Sequence, residues 1–272
     1  MISQRVNAER IVLLGWGRAI LLQLAHPLIA AGVYDHSGFR STTWAAVSRL
    51  YHTVHAMLAL TFGTDAERER ALDGIRQIHR RVHGELKTTT RRFPEGTPYS
   101  AEDPDLVLWV HGTLLESVLL AYEKLVGPLT TAERDAYCAE AAPIAVALLA
   151  RSHDVPRTWA DAQVYLDRMY ASGDLDVTEQ ARTLARAVLS PPAAAKWIAG
   201  PATWTNRIVT LGLLPALIRR QYRFGWTRGN QRAFDLLVPS LRTMRRVMPR
   251  GITLWPEARV ATPPGTHLPN EL

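Results

Sequence analysis

The chain has 272 residues, 47% of them hydrophobic, a formal net charge of +7 at pH 7, and one cysteine, Cys138. This length and apolar content suffice for one sizeable core, and a lone cysteine excludes an internal disulfide framework. The basic residues are mostly arginines spread over the whole chain without a long run. Solvated helix faces therefore explain the charge better than a nucleic-acid surface does.

Alanine, leucine and arginine dominate the long segments, and the alternation typical of strands is scarce. The sequence therefore predicts an all-α fold, with a single domain of roughly eight to ten helices over residues 1–255. Residues 256–272 are rich in proline and are predicted to be an irregular tail. No signal-peptide pattern follows the short apolar run 11–16, so we expect a cytoplasmic protein.

In the first half of the chain, helix boundaries follow local signals. Pro27 is expected to kink or restart an apolar helix over 10–33, which contains too many polar residues to be a membrane span. Helices are then predicted over 41–60 and 64–92, the second capped by Thr64 or Asp65. Glycine and proline predict a loop over 93–99.

Capping residues and prolines mark the helices of the second half. Asp103 and Pro104 predict the start of a strongly apolar helix that ends near Gly127, and Thr130 opens the next one with a capping box. The remaining helices are predicted over 158–170 and 178–189, and the apolar region 193–224 is predicted to end in a core helix with an arginine-rich last turn.

Histidines concentrate in the two predicted helices 41–60 and 64–92, with one more on the following helix. They are His52, His55, His79, His83 and His111. If 64–92 is one helix, His79 and His83 lie one turn apart on the same face. Residue types and spacing leave two sites open: a metal bound by several of these imidazoles, or a haem held by one imidazole with an arginine near its propionates.

Other chemistries lack their motifs. The chain has no glycine-rich phosphate loop, no Gly-x-Ser-x-Gly nucleophile motif, and no Glu-x-x-His pair of the di-iron bundles. His26, which precedes Pro27, is expected either to be a buried histidine bonded to a freed backbone carbonyl or to line a pocket. The histidine-based sites therefore remain as the candidates.

Seven short motifs occur in order in the first half of the chain. They are Gln23-Leu24-Ala25-His26-Pro27, His36-Ser37-x-Phe39, Arg49-x-x-x-Thr53, Phe62-Gly63, His79-x-x-Val82-x-Gly84, Tyr99-x-Ala101-x-Asp103-Pro104 and Trp109-Val110-His111. In this combination the chain resembles the MpaB/latex-clearing-protein oxygenase family, the rubber oxygenase catalytic domain. The resemblance runs from about residue 10 to 140, and more weakly to about 250. It implies an all-helical fold with a buried pocket for haem b, as in a globin, and oxidative cleavage of isoprenoid double bonds by dioxygen.

The resemblance also implies roles for individual residues. It makes His79 the axial ligand of the haem iron. The same resemblance makes Arg49, Thr53 and His111 contact the cofactor. His83 is added because it is predicted to share a helix face with His79, and His26 because it is expected to line a pocket. Latex-clearing proteins carry a lysine just before the motif threonine, where this chain has His52. We therefore expect His52, with Arg49 and Thr53, to form the catalytic side of the haem.

The replacement of the family lysine by His52 bears on the substrate, because this residue is expected on the side of the haem where the substrate binds. We expect dioxygen and a small, unsaturated, isoprenoid-like hydrophobic molecule rather than the rubber polymer. Nucleic acid is not an expected partner, and peripheral membrane contact is allowed by the basic segment 219–223. The alternatives are a non-catalytic helical protein that binds haem or lipid, and a histidine-ligated metal hydrolase.

Overall fold

The computed structural model of the protein describes residues 1–36, 43–189 and 200–260, without the side chains of 43–50 and 259–260. These residues form fourteen α-helices, one 3₁₀ helix and one two-stranded antiparallel sheet. Nine of the helices have ten or more residues, which confirms the predicted all-α bundle.

The element bounds are as follows. The helices are α1 (Ile2–Asn7), α2 (Trp16–Leu24), α3 (Pro27–His36), α4 (Thr43–Phe62), α5 (Asp65–His79), α6 (Pro104–Leu125), α7 (Thr131–Ala147), α8 (Trp159–Ala171), α9 (Glu179–Leu189), α10 (Gly200–Leu213), α11 (Ala216–Gln221), α12 (Arg228–Val247), α13 (Arg250–Thr253) and α14 (Pro256–Val260). The 3₁₀ helix is Arg10–Gly15, and the strands are β1 (His83–Glu85) and β2 (Pro98–Ser100).

Local capping explains where three of the helices begin. The Thr64 hydroxyl accepts a hydrogen bond from the backbone N–H of Glu67 at 3.3 Å, and the Glu67 carboxylate accepts one from the backbone N–H of Thr64 at 2.8 Å. A reciprocal pair of the same kind begins α7 at Thr130. Asp103 caps α6, whose first residue is Pro104. These predicted helix starts are confirmed, because each depends on residues close together in the chain.

Helix α6 lies at the centre of the fold and packs against α2, the 3₁₀ helix, α7, α8 and α12. Its Trp109 is fully buried, and the indole N–H donates to the carbonyl of Leu22 in α2 at 3.2 Å. Among the described residues, α6 is the only unbroken helix long and apolar enough to cross a membrane. However, 72% of its most apolar stretch is buried inside the protein. Such burial is typical of a core helix.

Pro27 restarts the chain as predicted. Helix α2 ends at Leu24, α3 begins at Pro27, and the path bends by 105° between them. Proline is well placed at the first position of a helix, where its missing N–H would have had no intrahelical partner. His26 therefore lies at the corner between two helices.

The predicted helix over 64–92 is wrong beyond its first half. Helix α5 ends at His79, and β1 then pairs with β2 so that Gly84 faces Tyr99. The backbone N–H of Ala101 also donates to the carbonyl of Val82 at 2.9 Å. His79 and His83 consequently do not share a helix face. The pairing partner lies outside any local window, and the β-branched run 88–90 disfavours helix.

One later boundary differs from the prediction. The apolar region 193–224 contains α10 and α11 with a break before Pro215, and α11 has the expected arginine-rich last turn. Residues 256–260 form the short helix α14 rather than irregular chain. Residues 190–199 and 261–272 lie outside the described part of the chain. The predicted helices 158–170 and 178–189 match α8 and α9 within about one residue.

Candidate cofactor site

Helix α4, which carries three of the predicted site residues, packs on α5 and on the core. Val54 and Leu58 are 8% and 4% exposed and belong to the same buried cluster as Leu115 of α6. Burying such aliphatic side chains stabilises the fold by about 1.5–3 kcal/mol each. Arg49 lies in the part of α4, residues 43–50, whose side chains the structure does not describe. The motif residues Ser37 and Phe39 also lie outside the described residues.

The described histidines of α4 are on its outer side. His52, Thr53 and His55 are exposed. The ring of Tyr51 lies 4.0 Å from that of His55 and 5.7 Å from that of His52, measured between centroids. In the described part of the chain, these rings form an aromatic and imidazole surface patch, and His52 shares no described ring contact with His79.

His79 is the last residue of α5 and is half-buried. Burial lowers the pKa of its imidazole, and the nearby Glu102 carboxylate opposes that shift. The ring is therefore neutral at pH 7. A neutral imidazole has a free lone pair, which is the state that binds a metal or a haem iron.

A small packed unit fixes the backbone that follows His79. A Cβ atom on Gly84 would lie 2.6 Å from the hydroxyl oxygen of Tyr99, so no side chain fits there without moving Tyr99. The Tyr99 hydroxyl donates to the Asp35 carboxylate at 2.9 Å, and burial followed by this carboxylate raises the pKa of Tyr99 to about 12. Gly32 of α3 packs against Val82 and Tyr99. Segments far apart in the sequence thus meet behind His79.

His83 and His36 lie at the edge of this unit. Nε2 of His36 is 2.9 Å from the backbone carbonyl oxygen of His83. Both side chains are exposed, and their ring centroids are 6.4 Å apart. His83 was expected to face the same cavity as His79 because of a shared helix face. That reason no longer holds, since His83 lies in β1.

His26 is buried at the corner between α2 and α3. Its side chain packs against the ring of Phe93, with centroids 5.3 Å apart. Desolvation lowers its pKa to about 4, and the carboxylates of Asp174 and Asp103 oppose the shift. Its Nδ1 has no hydrogen-bond partner among the described residues. The imidazole is therefore neutral and keeps one ring nitrogen available.

His111 is a second buried neutral histidine, in the middle of α6. Burial alone lowers its pKa to about 4, and its Nε2 has no hydrogen-bond partner in the described part of the chain. It shares a face of α6 with Leu115 and Val118, which lie four and seven residues on and belong to the core cluster that also contains Val54 of α4.

The sequence analysis missed a buried ionic network between α2 and α6. Arg18 is 2% exposed, and its guanidinium donates to the Ser117 hydroxyl at 2.8 Å and pairs with the Glu116 carboxylate at 2.9 Å. It also donates to the carbonyl of Leu213 at 2.9 Å, and the Tyr170 hydroxyl donates to Glu116. An arginine inside the apolar run of α2 was the available signal. Its donors are occupied by the protein, so it joins helices rather than binding a ligand.

Two other chemistries find no support in the described residues. No group of three or more histidine, cysteine, aspartate or glutamate side chains there is arranged to hold a metal ion. Cys138 is buried, and burial raises the pKa of its thiol to about 12, so it is not an activated nucleophile. Individual neutral imidazoles remain as the available ligands.

Comparison with known proteins decides the family. The sequence profile described as "ER-bound oxygenase mpaB/B'/Rubber oxygenase, catalytic domain" matches residues 4–243. The chain belongs to this family. An uncharacterized protein of Mycobacterium bovis and one of Mycobacterium tuberculosis are each 28% identical to the chain over 239 residues, covering 85% of this chain and 87% of their own. No solved structure matches significantly.

Membership in the mpaB/rubber oxygenase family confirms the resemblance drawn from the seven motifs. All seven lie inside the matched range, and the match extends beyond them to α12. The family range therefore takes in His26, His79 and His111 as well as the core helices that bury them.

Proposed function

We propose that this member of the mpaB/rubber oxygenase family is a haem b-dependent oxygenase that cleaves carbon–carbon double bonds of a small isoprenoid-like hydrophobic substrate. One observation carries the proposal: three imidazoles, those of His26, His79 and His111, are held neutral inside a domain that the oxygenase family matches. Neutral imidazole is the form that ligates haem iron.

The unpartnered ring nitrogens support the presence of a bound group. A buried polar atom without a hydrogen bond costs about 1–3 kcal/mol, and such atoms are rare in native proteins. Both His26 Nδ1 and His111 Nε2 are in this state within the described part of the chain. A cofactor with polar or metal-binding atoms would satisfy one or both, which supports the proposal of a bound haem.

In this proposal, His79 would hold the haem through its neutral ring, because the family motif assigns the ligand to that position. Arg49 would bind a propionate by charge-assisted hydrogen bonds, with Thr53 one turn further along α4. When bound, haem would supply the dioxygen chemistry, which no side chain can supply alone. The chain's own contribution is to place the cofactor, to hold the alkene in an apolar pocket and to exclude water.

The first test is the absorption spectrum of protein expressed with ample haem, together with a pyridine haemochrome assay. We expect a Soret band and non-covalent haem b, because the chain has no pair of cysteines to form thioether links. Colourless protein without a haemochrome would contradict the proposal.

The second test separates an enzyme from a carrier. The reduced haem protein is incubated with a short polyisoprenoid or with solubilised polyisoprene, under oxygen or nitrogen, and carbonyl products are measured by mass spectrometry. We expect oxygen-dependent carbonyl products from the short substrate and much less from the polymer. Haem without any product from either substrate would favour the non-catalytic haem- or lipid-binding alternative.

A further inference from the structure

A surface recess lies between α9 and the residues that follow α11. Its volume is about 370 Å³. It is lined by Glu179, Arg182, Arg186, Tyr222, Arg223 and Phe224. None of these residues belongs to the seven motifs, so the oxygenase proposal does not account for them. Three guanidinium groups against one carboxylate give the lining an excess of positive charge.

Arg182 forms the fixed part of this lining. Its side chain is 19% exposed, and its Nε and Nη2 atoms donate to the backbone carbonyl of Gln221 at 3.3 and 3.2 Å. Its Nη1 atom pairs with Glu179 at 3.0 Å, and Arg186 pairs with the same carboxylate at 2.7 Å. Two guanidinium groups thus share one carboxylate, so the positive charge of Arg186 at the surface is only partly neutralised.

Arg223 adopts a backbone conformation that arginine rarely takes. Its φ is +59°. The N–H of Phe224 donates to the carbonyl of Arg219 at 3.2 Å, and that of Arg223 donates to the carbonyl of Arg220 at 2.9 Å. This pair of bonds is the Schellman motif, whose left-handed position is usually glycine because a Cβ atom is unfavourable there.

The described residues give the side chain of Arg223 no polar partner that would offset this conformation. In the described part of the chain, its guanidinium forms neither a hydrogen bond nor an ion pair. For Arg223 this strained conformation coincides with a place in the lining of the recess, where its guanidinium is available to a ligand.

An aromatic wall completes the recess. The rings of Tyr222 and Phe224 are stacked, with centroids 5.4 Å apart and planes within 9° of each other. Tyr222 is 2% exposed, and its hydroxyl donates to the carbonyl of Leu21 at 2.7 Å. The wall is therefore anchored to the core by Tyr222, and the half-buried Phe224 ring forms its edge at the recess, with the Arg207 guanidinium 5.7 Å from the ring centroid.

We propose that this recess binds an oxyanion, a phosphate or carboxylate, that carries an apolar portion. Arg223 and Arg186 would bind the anion by charge-assisted hydrogen bonds, and Phe224 would contact the apolar portion. Glu179 competes with the anion for Arg186. The site does not depend on haem, so the proposal stands or fails separately from the oxygenase activity.

The test is calorimetric titration of the full chain with hexyl phosphate, inorganic phosphate and hexanol. We expect saturable binding of hexyl phosphate, weaker binding of inorganic phosphate, and none of hexanol. Arg223→Gly should weaken hexyl phosphate binding about tenfold or more, because one charge-assisted contact is lost. The same variant should raise Tm, since glycine suits the left-handed position. Glu179→Gln should tighten binding.

Leu149→Gly is the matched control. Leu149 is the other non-glycine residue with a positive φ among those described, 81°, and it lies beyond α7, away from the recess lining. The Leu149→Gly variant should have a higher Tm than the wild type and the same affinity for hexyl phosphate. Absence of saturable binding by the wild type would overturn the proposal, and so would Arg223→Gly binding hexyl phosphate as tightly as the wild type.

A vesicle arm distinguishes the source of the anion. Phosphatidylcholine vesicles with and without phosphatidic acid are sedimented with the wild type and with Arg223→Gly. Retention that depends on both phosphatidic acid and Arg223 assigns the site to lipid headgroups. Hexyl phosphate binding without such retention assigns it to a soluble ligand, and either result supports the same recognition chemistry.

Discussion

The chain after α5 and the middle of α4 both carry candidate site histidines, but the protein holds them in different ways. The chain after His79 is locked by Gly84 against Tyr99 and by the hydrogen bond from Tyr99 to Asp35. In the middle of α4, by contrast, Val54 and Leu58 point into the core while His52 and His55 are exposed beside Tyr51.

This difference separates two uses of a motif. Gly84 and Tyr99 belong to motifs, yet their described contacts are with each other and with α3, so they fix the backbone. His79 is the residue that this packing presents as a half-buried neutral ring. The histidines of α4 have no comparable support, so their contribution would come from contact with a cofactor or substrate rather than from the fold.

The largest expected effect is at His79. His79→Ala should lower the haem content of purified protein by more than about tenfold, because it removes the proposed bond to the iron from a haem with no covalent link to the chain. Haem per chain is measured by pyridine haemochrome, and folding by circular dichroism.

His83→Ala is the control for this experiment. Its exposed ring lies on β1 and no longer shares a helix face with His79, so it should keep most of the haem. Loss of haem in His83→Ala with retention in His79→Ala would reverse the ligand assignment.

The contrast between the two regions also shows how far the sequence could lead. The starts of α5 and α6 were predictable because Thr64 and Asp103 cap residues close to them in the chain. The end of α5 was not, because Gly84 pairs with Tyr99 across an intervening loop. Pairing of this kind depends on tertiary contacts that no local window contains.

The candidate site divides in the same way. Family motifs indicated His26 and His111 as candidates, but the chain alone could not show that each has a buried ring nitrogen without a described partner. Arg18 looked like an interruption of an apolar helix, while its actual contacts come from α6 and from the carbonyl of Leu213. Such partners are determined by packing.

The next effect concerns pH and the buried His111 in haem-free protein. Its pKa falls from 6.5 to about 4 on folding. The unfolded chain therefore binds the proton first, and acidification from pH 6.5 to about 4 favours unfolding. At 1.36 kcal/mol per pKa unit, the loss is about 3 kcal/mol, and it stops growing below about pH 4.

His111→Leu should remove this share of the acid sensitivity. Urea unfolding of haem-free wild type and variant at a series of pH values from 7 to 4 measures it. His26, with a similarly lowered pKa, should continue to produce a slope in the variant. Equal slopes for wild type and His111→Leu would show that His111 is not held neutral by burial.

A smaller effect is expected from tightening the packed unit behind His79. Gly84→Ala places a methyl group 2.6 Å from the Tyr99 hydroxyl. Overpacking of this kind typically lowers the free energy of unfolding by about 1–3 kcal/mol. Haem affinity should fall with it if this unit positions His79, and both are measured on the same preparations.

Gly84→Ala combined with Tyr99→Phe tests the mechanism. Removing the hydroxyl relieves the closest contact, so the double variant should be less destabilised than the sum of the two single variants. Strict additivity would indicate that the alanine acts through the backbone instead of through Tyr99.

The smallest effect on stability, and the sharpest test of the exposed α4 region, is expected at His52. An exposed ring contributes little to folding, so His52→Ala should change the free energy of unfolding by no more than about 0.5 kcal/mol. Its effect should instead be on the haem.

His52 precedes Thr53 by one residue, about 100° around α4. If the α4 face that carries Thr53 borders the haem, the imidazole of the neighbouring His52 can ligate the iron or hydrogen-bond to bound oxygen. Ligation predicts a six-coordinate low-spin ferric spectrum that shifts towards high spin in His52→Ala, with faster cyanide binding.

His55→Ala is the matched control, exposed on the same helix beside Tyr51. Identical spectra and cyanide rates for wild type and His52→Ala would leave His52 as a surface residue.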